Sequence, residues 1–269
     1  MKPAPAVLVL AATLVPAASG VAADKLKPAE VVAHHLDAVG AAEARATSRK
    51  VEGSCAMTAP ASGGVAGSLM GRFSFESAAT RFALQMKFPS QGYPAESFGL
   101  EGGKPDVGFV LPGRRSALGA FLSTHDVILR EGLLGGVLNA GWPLSSLAER
   151  GAKVSYDGLK QLDGRDDHRL RYRAKKGQDT LDVFLYFDPD TFRHVATVYK
   201  ASQAQQLGVT MESSSSEPDV YLQLEETFGE FRTVKGMTLP SSWTLRYETQ
   251  AKVTQYWKYD LVSDPLERK

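Results

Sequence analysis

One cysteine, Cys55, stands in 269 residues, so no intramolecular disulfide can form and the fold must be held by its core. Net charge is equally scarce. Lys and Arg number 31, Asp and Glu 30, for a formal +1. A nucleic-acid binder usually carries a clearly basic face, and no polybasic membrane-binding run is present either. No apolar stretch reaches the about 20 uninterrupted residues that a membrane helix needs. G-x-S-x-G, H-E-x-x-H, G-x-x-x-x-G-K-[ST] and paired C-x-x-C are all missing. The chain therefore lacks the local signatures of nucleophilic, zinc and phosphate-loop chemistry. The expectation is a protein without catalysis, cofactor or metal. Apolar content, 43%, is that of an ordinary globular chain long enough to build a core.

The first residues read as an export leader. Lys2 supplies a positive start, residues 7–15 an apolar stretch, and Val21-Ala22-Ala23 the small residues that a signal peptidase reads. Cleavage is expected after Ala23, and no cysteine near that point offers a lipid-acceptor thiol. Removal of residues 1–23 takes one cation and no anion, leaving 30 charges of each sign. Residues 24–269 contain no long linker or repeat and are expected to form a single exported, periplasmic domain.

Hydrophobic spacing divides this domain. Val31, Val32, His35, Leu36 and Val39 recur at helical intervals, with Pro28 suited to the first turn and Gly40 to the stop; a short second helix is expected over 41–47. From Arg49 the period changes to two. Strands are expected at 51–57, 65–76, 80–88, 96–100, 107–111, 151–160, 165–174, 180–187, 193–201, 220–231, 237–249 and 252–261. Residues 80–88 alternate most cleanly, with Phe82, Leu84, Met86 and Phe88 facing one way. Turns are signalled at 60–64, Gly102-Gly103, Asp163-Gly164, Asp188-Pro189-Asp190-Thr191 and Lys235-Gly236, and a hydrophilic loop at 213–219.

Between the two groups of strands lies the most unusual segment, residues 118–144. It is mostly apolar, yet Gly132, Gly135, Gly136, Gly141 and Pro143 interrupt it. Each interior glycine costs a helix about 1 kcal/mol against alanine. Short helices with soft joints are expected, forming a movable plug or lid over an apolar concavity of the sheet. The candidate lining comes from the strands (Phe73, Phe75, Phe82, Leu84, Met86, Phe88, Phe98 and Phe109) and from the segment itself (Phe121, Leu122, Leu133, Leu134, Leu138 and Trp142). Aromatic and Met side chains adapt to an acyl chain. At about 0.8 kcal/mol per buried methylene, one long chain could contribute on the order of 10 kcal/mol before binding costs.

Other clusters favour structural roles. Adjacent helical side chains such as His34 and His35 point about 100° apart and converge poorly on one ion, so one is expected to pack inward and the other to face water. Asp163, Asp166, Asp167 and His168 match no calcium loop and read as a solvated hairpin tip. His125-Asp126 has no nucleophile motif beside it. Cys55 lies in a strand with no cue for thiolate activation.

Several pieces together resemble a family. Residues 31–57, VVAHHLDAVGAAEARATSRKVEGSCAM, resemble the opening of LolA-like periplasmic proteins: a helix ending near A-x-G, a short second helix and a first strand. YFDPDTFRHV is similar to that family's strand–D-P-x-T–strand hairpin, GRDDHRLRYR to its strand entered through a Gly-Arg turn, and VKGMTLPSSWTLRY to its late G-x-x-x-P strand pair, with Gly236 and Pro240 in place. The resemblance implies a mainly β fold, an open and unclosed antiparallel barrel of about eleven strands with helices covering the concave face. It implies binding of lipid or of an acylated lipoprotein, as in outer-membrane lipoprotein sorting, with membrane-associated donor or acceptor proteins as partners. The alternative is an envelope interaction or sensor module whose cleft or edge strand holds a protein or peptide segment. The central glycine-rich segment is longer than the family pattern, and no basic cavity residue of LolA aligns with it.

Overall fold

A computed structural model describes residues 26–59, 67–178, 180–203, 220–249 and 254–261. The leader, the 60–64 turn and the 213–219 loop lie outside these residues. The N-terminal helix signals resolve into α1 (Pro28–Val39) and α2 (Ala42–Arg45). Pro28 opens α1, whose buried stripe is Val31, Val32, His35 and Val39. Gly40 ends it with φ +136°, and a Cβ there would come within 2.4 Å of the Gly236 carbonyl oxygen. Only glycine fits both the backbone angle and this approach.

Twelve antiparallel strands follow among the described residues. β1 (Arg49–Ala59), β2 (Gly67–Ala78), β3 (Arg81–Lys87), β4 (Ala95–Glu101) and β5 (Lys104–Val107) form one array in the order β5-β4-β3-β2-β1. β6 (Lys153–Leu162), β7 (Arg165–Arg173), β8 (Leu181–Phe187), β9 (His194–Gln203), β10 (Val220–Val234) and β11 (Met237–Glu248) form a second meander of six. β12 (Thr254–Leu261) pairs with β1 on one side and β11 on the other. β5 and β6 remain the outer strands and do not pair with each other, so the sheet is not closed into a barrel.

The expected boundaries hold within a few residues, with one displacement. The strand foreseen at 107–111 lies earlier, at Lys104–Val107, because the Gly102-Gly103 turn (φ +56° and +76°) folds the chain straight back onto β4. β3 keeps its alternation: Phe82, Leu84 and Met86 are buried while Arg81, Ala83, Gln85 and Lys87 are exposed. The Asp188 turn is closed by its own carboxylate, which accepts from Thr191 N (2.8 Å), Thr191 Oγ1 (2.7 Å) and Asp190 N (3.2 Å).

The segment between the arrays is folded as expected from its glycines. It comprises α3 (Ala117–Thr124), α4 (Val127–Arg130), 3-10 turns at Gly136–Leu138 and Pro143–Ser146, and α5 (Leu147–Arg150). Leu118, Phe121, Leu122, Leu133, Leu134, Leu138, Trp142 and Leu144 are all buried in one core with residues of both arrays. Phe121 meets Tyr247 of β11 at 5.4 Å between ring centroids. At Gly136, φ is +50° and a Cβ would sit 2.7 Å from the His194 ring, so the glycine lets this backbone lie directly on β9. No helix among the described residues is long and apolar enough to cross a membrane.

Candidate functional site

The segment at 117–150 packs between the two arrays, and specific polar contacts tie it to the sheet. At its start, Ser116 caps α3 by accepting from Gly119 N (2.8 Å). The Ser116 hydroxyl donates in turn to Glu96 of β4, which also accepts from Tyr93. In the middle, Gly135 N donates to Glu226 Oε2 (2.8 Å), and the same carboxyl accepts from Trp243 Nε1 (2.9 Å) and Tyr199 OH (2.6 Å). Ser77 of β2 donates to the Leu138 carbonyl and accepts from Ala140 N. Near the end, Trp142 Nε1 donates to His35 Nε2 at 3.1 Å.

Burial sets the charge of these anchors. Removal from water pushes the Glu226 carboxyl up to about 7, against the lowering effect of Tyr199, Gly135 and Trp243. Burial likewise pushes Glu96 up to about 7, against Ser116 and Tyr93. His35 Nδ1 lies 3.0 Å from the Phe192 carbonyl, which can only accept, so Nδ1 carries the proton and Nε2 is free to accept from Trp142. Burial drives His35 down to about 4, so this neutral tautomer persists at neutral pH. His194 is also fully buried and held well below the usual histidine range by desolvation and by His35.

Beside the plug opens a cleft of about 770 Å³, bounded by α2, the β2–β3 turn, the β4–β5 turn and residues 139–150. Phe82, Leu100 and Trp142 give it apolar wall; Arg45, Arg81, Arg130 and Arg150 give it charge. A second depression of about 490 Å³ shares Ala78, Arg81 and Phe82 with it and reaches Arg49 and Glu76. Arg49 is only 4% exposed; its Nη2 donates to the Arg45 carbonyl at 2.8 Å, and burial lowers it to about 10.

The sequence-selected lining residues separate into three places. Phe73, Phe75, Phe82, Leu84, Met86, Phe88, Phe98, Phe121, Leu122, Leu133, Leu134, Leu138 and Trp142 are buried together in the shared core. The plug's own backbone and side chains occupy the space beneath it: the Gly135 backbone lies against the Phe75 ring, and Trp142 packs on His194 at 4.7 Å. Phe82 and Trp142 also border the cleft. Phe109 does not join the core. It is 54% exposed, two residues past the end of β5, and its ring carries the Arg115 guanidinium at 4.3 Å. The strand expected over 107–111 would have turned it inward.

The secondary candidates also find places. His35 packs inward and His34 is exposed, as the helical spacing requires. Cys55 is buried, and burial pushes its thiol up to about 12. The 163–168 turn is less solvated than its composition suggests: Asp167 and His168 are buried, with His168 stacked on Phe192 and bonded to Tyr156 OH at 2.8 Å. Among the described residues no group of three His, Cys, Asp or Glu side chains could hold a metal ion.

Sequence reasoning missed the buried acids and the arginine cleft. A signal for the acids was present. Glu226 shares its strand face with Leu224 and Phe228, and Glu96 shares its face with Phe98 and Leu100, so each carboxyl sits in phase with apolar neighbours. The four arginines come from distant parts of the chain and leave no local pattern.

No family model and no curated protein sequence matches the chain. Among solved structures, the chain is similar to the LolA superfamily protein NE2245 from Nitrosomonas europaea, at 12% identity and TM-score 0.49, covering 91% of this chain and 95% of that one. It is also similar to a DUF1329 family protein from Desulfovibrio piger ATCC 29098, at 10% identity and TM-score 0.45, covering 87% and 90%. At this degree of overlap, no residue role transfers from either protein.

Proposed function

We propose that this protein is a non-catalytic, monomeric carrier or binder of lipid or lipoprotein acyl chains, exported to the periplasm by residues 1–23. One observation carries the reading. An open cleft with apolar walls adjoins a plug that is joined to the sheet by core packing and side-chain hydrogen bonds, with no strand pairing. The cleft's volume, about 770 Å³, falls within the ~300–1,000 Å³ of small-ligand sites. Phe82 and Trp142 belong to both cleft and core, so an acyl chain entering at the cleft meets the plug at its Trp142 end. In this reading the two arrays curve as an open barrel around the plug, and the chain takes the place of plug side chains as the glycine joints bend.

Native mass spectrometry of the mature protein isolated from its own cells, joined to displacement of a fluorescent fatty acid, tests the proposal. A copurified acyl species and saturable displacement are expected. Neither being seen would sink it. The interaction-module alternative rests on the two outer strands, yet both are poor templates for strand addition. β5 has four residues and contains Pro105, and β6 is interrupted between Tyr156 and Leu159 and carries Lys153 and Lys160. A stoichiometric protein partner without lipid in a pulldown would favour that alternative.

A further inference from the structure

An acyl chain alone gives no reason for the charge around the cleft. Four arginines border it, against one carboxylate, Glu149. Arg130 is neutralised by Asp126, 2.7 Å away. Arg45 and Arg81 make no ion pair among the described residues, and Arg150 makes a long one. Arg45 donates through one Nη1 to the carbonyls of Leu36 and Gly40, and its buried Nε has no partner among the described residues. Arg150 donates to Ser146 Oγ (2.9 Å) and the Gly141 carbonyl (2.8 Å). Its ion-pair partner Glu131, 3.9 Å away, also accepts from Tyr172 OH at 2.6 Å. Arg81 is exposed at the first position of β3, and its guanidinium makes no hydrogen bond or ion pair among the described residues.

Carbonyl and hydroxyl partners position a guanidinium without cancelling its charge. Arg45 is therefore positioned by the fold without an ion pair, Arg150 is held by Ser146, Gly141 and a long ion pair to Glu131, and Arg81 adds an unpaired guanidinium to the same rim. Low-dielectric walls such as Phe82 and Trp142 strengthen the field of such a rim. We propose that this cleft is a headgroup subsite, where Arg81, Arg150 and Arg45 hold the anionic group, phosphate or carboxylate, of an amphiphile whose chain runs toward Trp142. The inference rests on the acyl-binding reading and adds the chemistry of the headgroup. Guanidinium forks match both oxyanions, and charge-assisted bonds of this kind are about twice as strong as neutral ones.

The test uses the mature protein and ligands of one chain length: a fatty acid, a monoacyl phosphate, the matching fatty alcohol and methyl ester, and inorganic phosphate alone. Dissociation constants are measured at low and high salt. The acid and the monoacyl phosphate should bind at least about tenfold more tightly than the neutral pair, the gap narrowing with salt. Arg81→Gln should remove most of that advantage, whereas Lys160→Gln, an equal charge change on distant β6, should preserve it. Equal affinity for anionic and neutral amphiphiles, or an unchanged ratio in Arg81→Gln, overturns the headgroup subsite and leaves acyl binding standing. Inorganic phosphate binding as tightly as the monoacyl phosphate supports the anion site and overturns acyl binding. Failure of every ligand to bind overturns both.

Discussion

The underside of the plug and the cleft beside it meet at Trp142, and they treat charge in opposite ways. Under the plug, ionisable groups are taken out of water and their neutral forms are favoured: Glu226 and Glu96 are pushed up to about 7, and His35 down to about 4. In the cleft, four arginines border an opening that water still reaches. The same chain segment thus seals one side with hydrogen bonds and borders a cationic opening on the other. The dry side fixes where the segment lies, while on the wet side Arg45 and Arg81 make no ion pair among the described residues.

The largest perturbation of this contrast places a charge on the dry side. Leu134 is fully buried, and Leu134→Asp leaves an unpaired carboxylate in the common core. A loss of about 4 kcal/mol or more is expected from urea unfolding. A midpoint near that of the parent would show that the plug is not part of the core.

Glu226→Gln removes the charge and keeps the shape. The Glu226 carboxyl titrates near 7 when folded, above its ordinary value of about 4.5, so its ionisation opposes folding as pH rises from about 4.5 to 7. The variant escapes that penalty. Its stability relative to the parent should grow by up to about 3 kcal/mol between pH 5 and pH 8. A difference that stays flat with pH would mean that the carboxyl is ionised in the dry side.

His35 has the opposite sign. Its folded value, about 4, lies below the ordinary 6.5, so its contribution is complete above about pH 6.5 and is lost as pH falls toward 4. His35→Leu strands the Trp142 N–H and the Phe192 carbonyl. It should cost about 1–3 kcal/mol at pH 7 and less in acid, as thermal melts across pH would show. The smallest effect belongs to the wet side. Arg81→Gln should change stability by no more than about 0.5 kcal/mol by the same melts. A larger loss would make Arg81 a structural residue and erase the contrast.

The dry side was partly legible in the sequence. Phe75, Leu84, Met86 and Phe98 lie on the inner faces of strands whose alternation marks them as buried, and the glycines of 132–141 announce a segment of short turns. Phe109 was expected inside, but β5 ends at Val107, and alternation says nothing about a side chain beyond the last strand residue. The wet side was not legible. Arg45, Arg81, Arg130 and Arg150 look like solvated surface residues in their own neighbourhoods, and only the return of the plug over the β2–β3 turn gathers them.

By itself, the sequence determined the antiparallel strands, their hairpin turns, the stop at Gly40 and the existence of an apolar plug. Each of these follows from interactions within a few residues: side-chain period, turn chemistry and backbone sterics. Tertiary structure decided what the plug rests on, which acids and histidines are shifted toward their neutral forms beneath it, and which arginines gather beside it. Those properties depend on desolvation and on pairs far apart in the chain. Local periodicity reports which face a side chain takes, and the fold alone decides what that face meets.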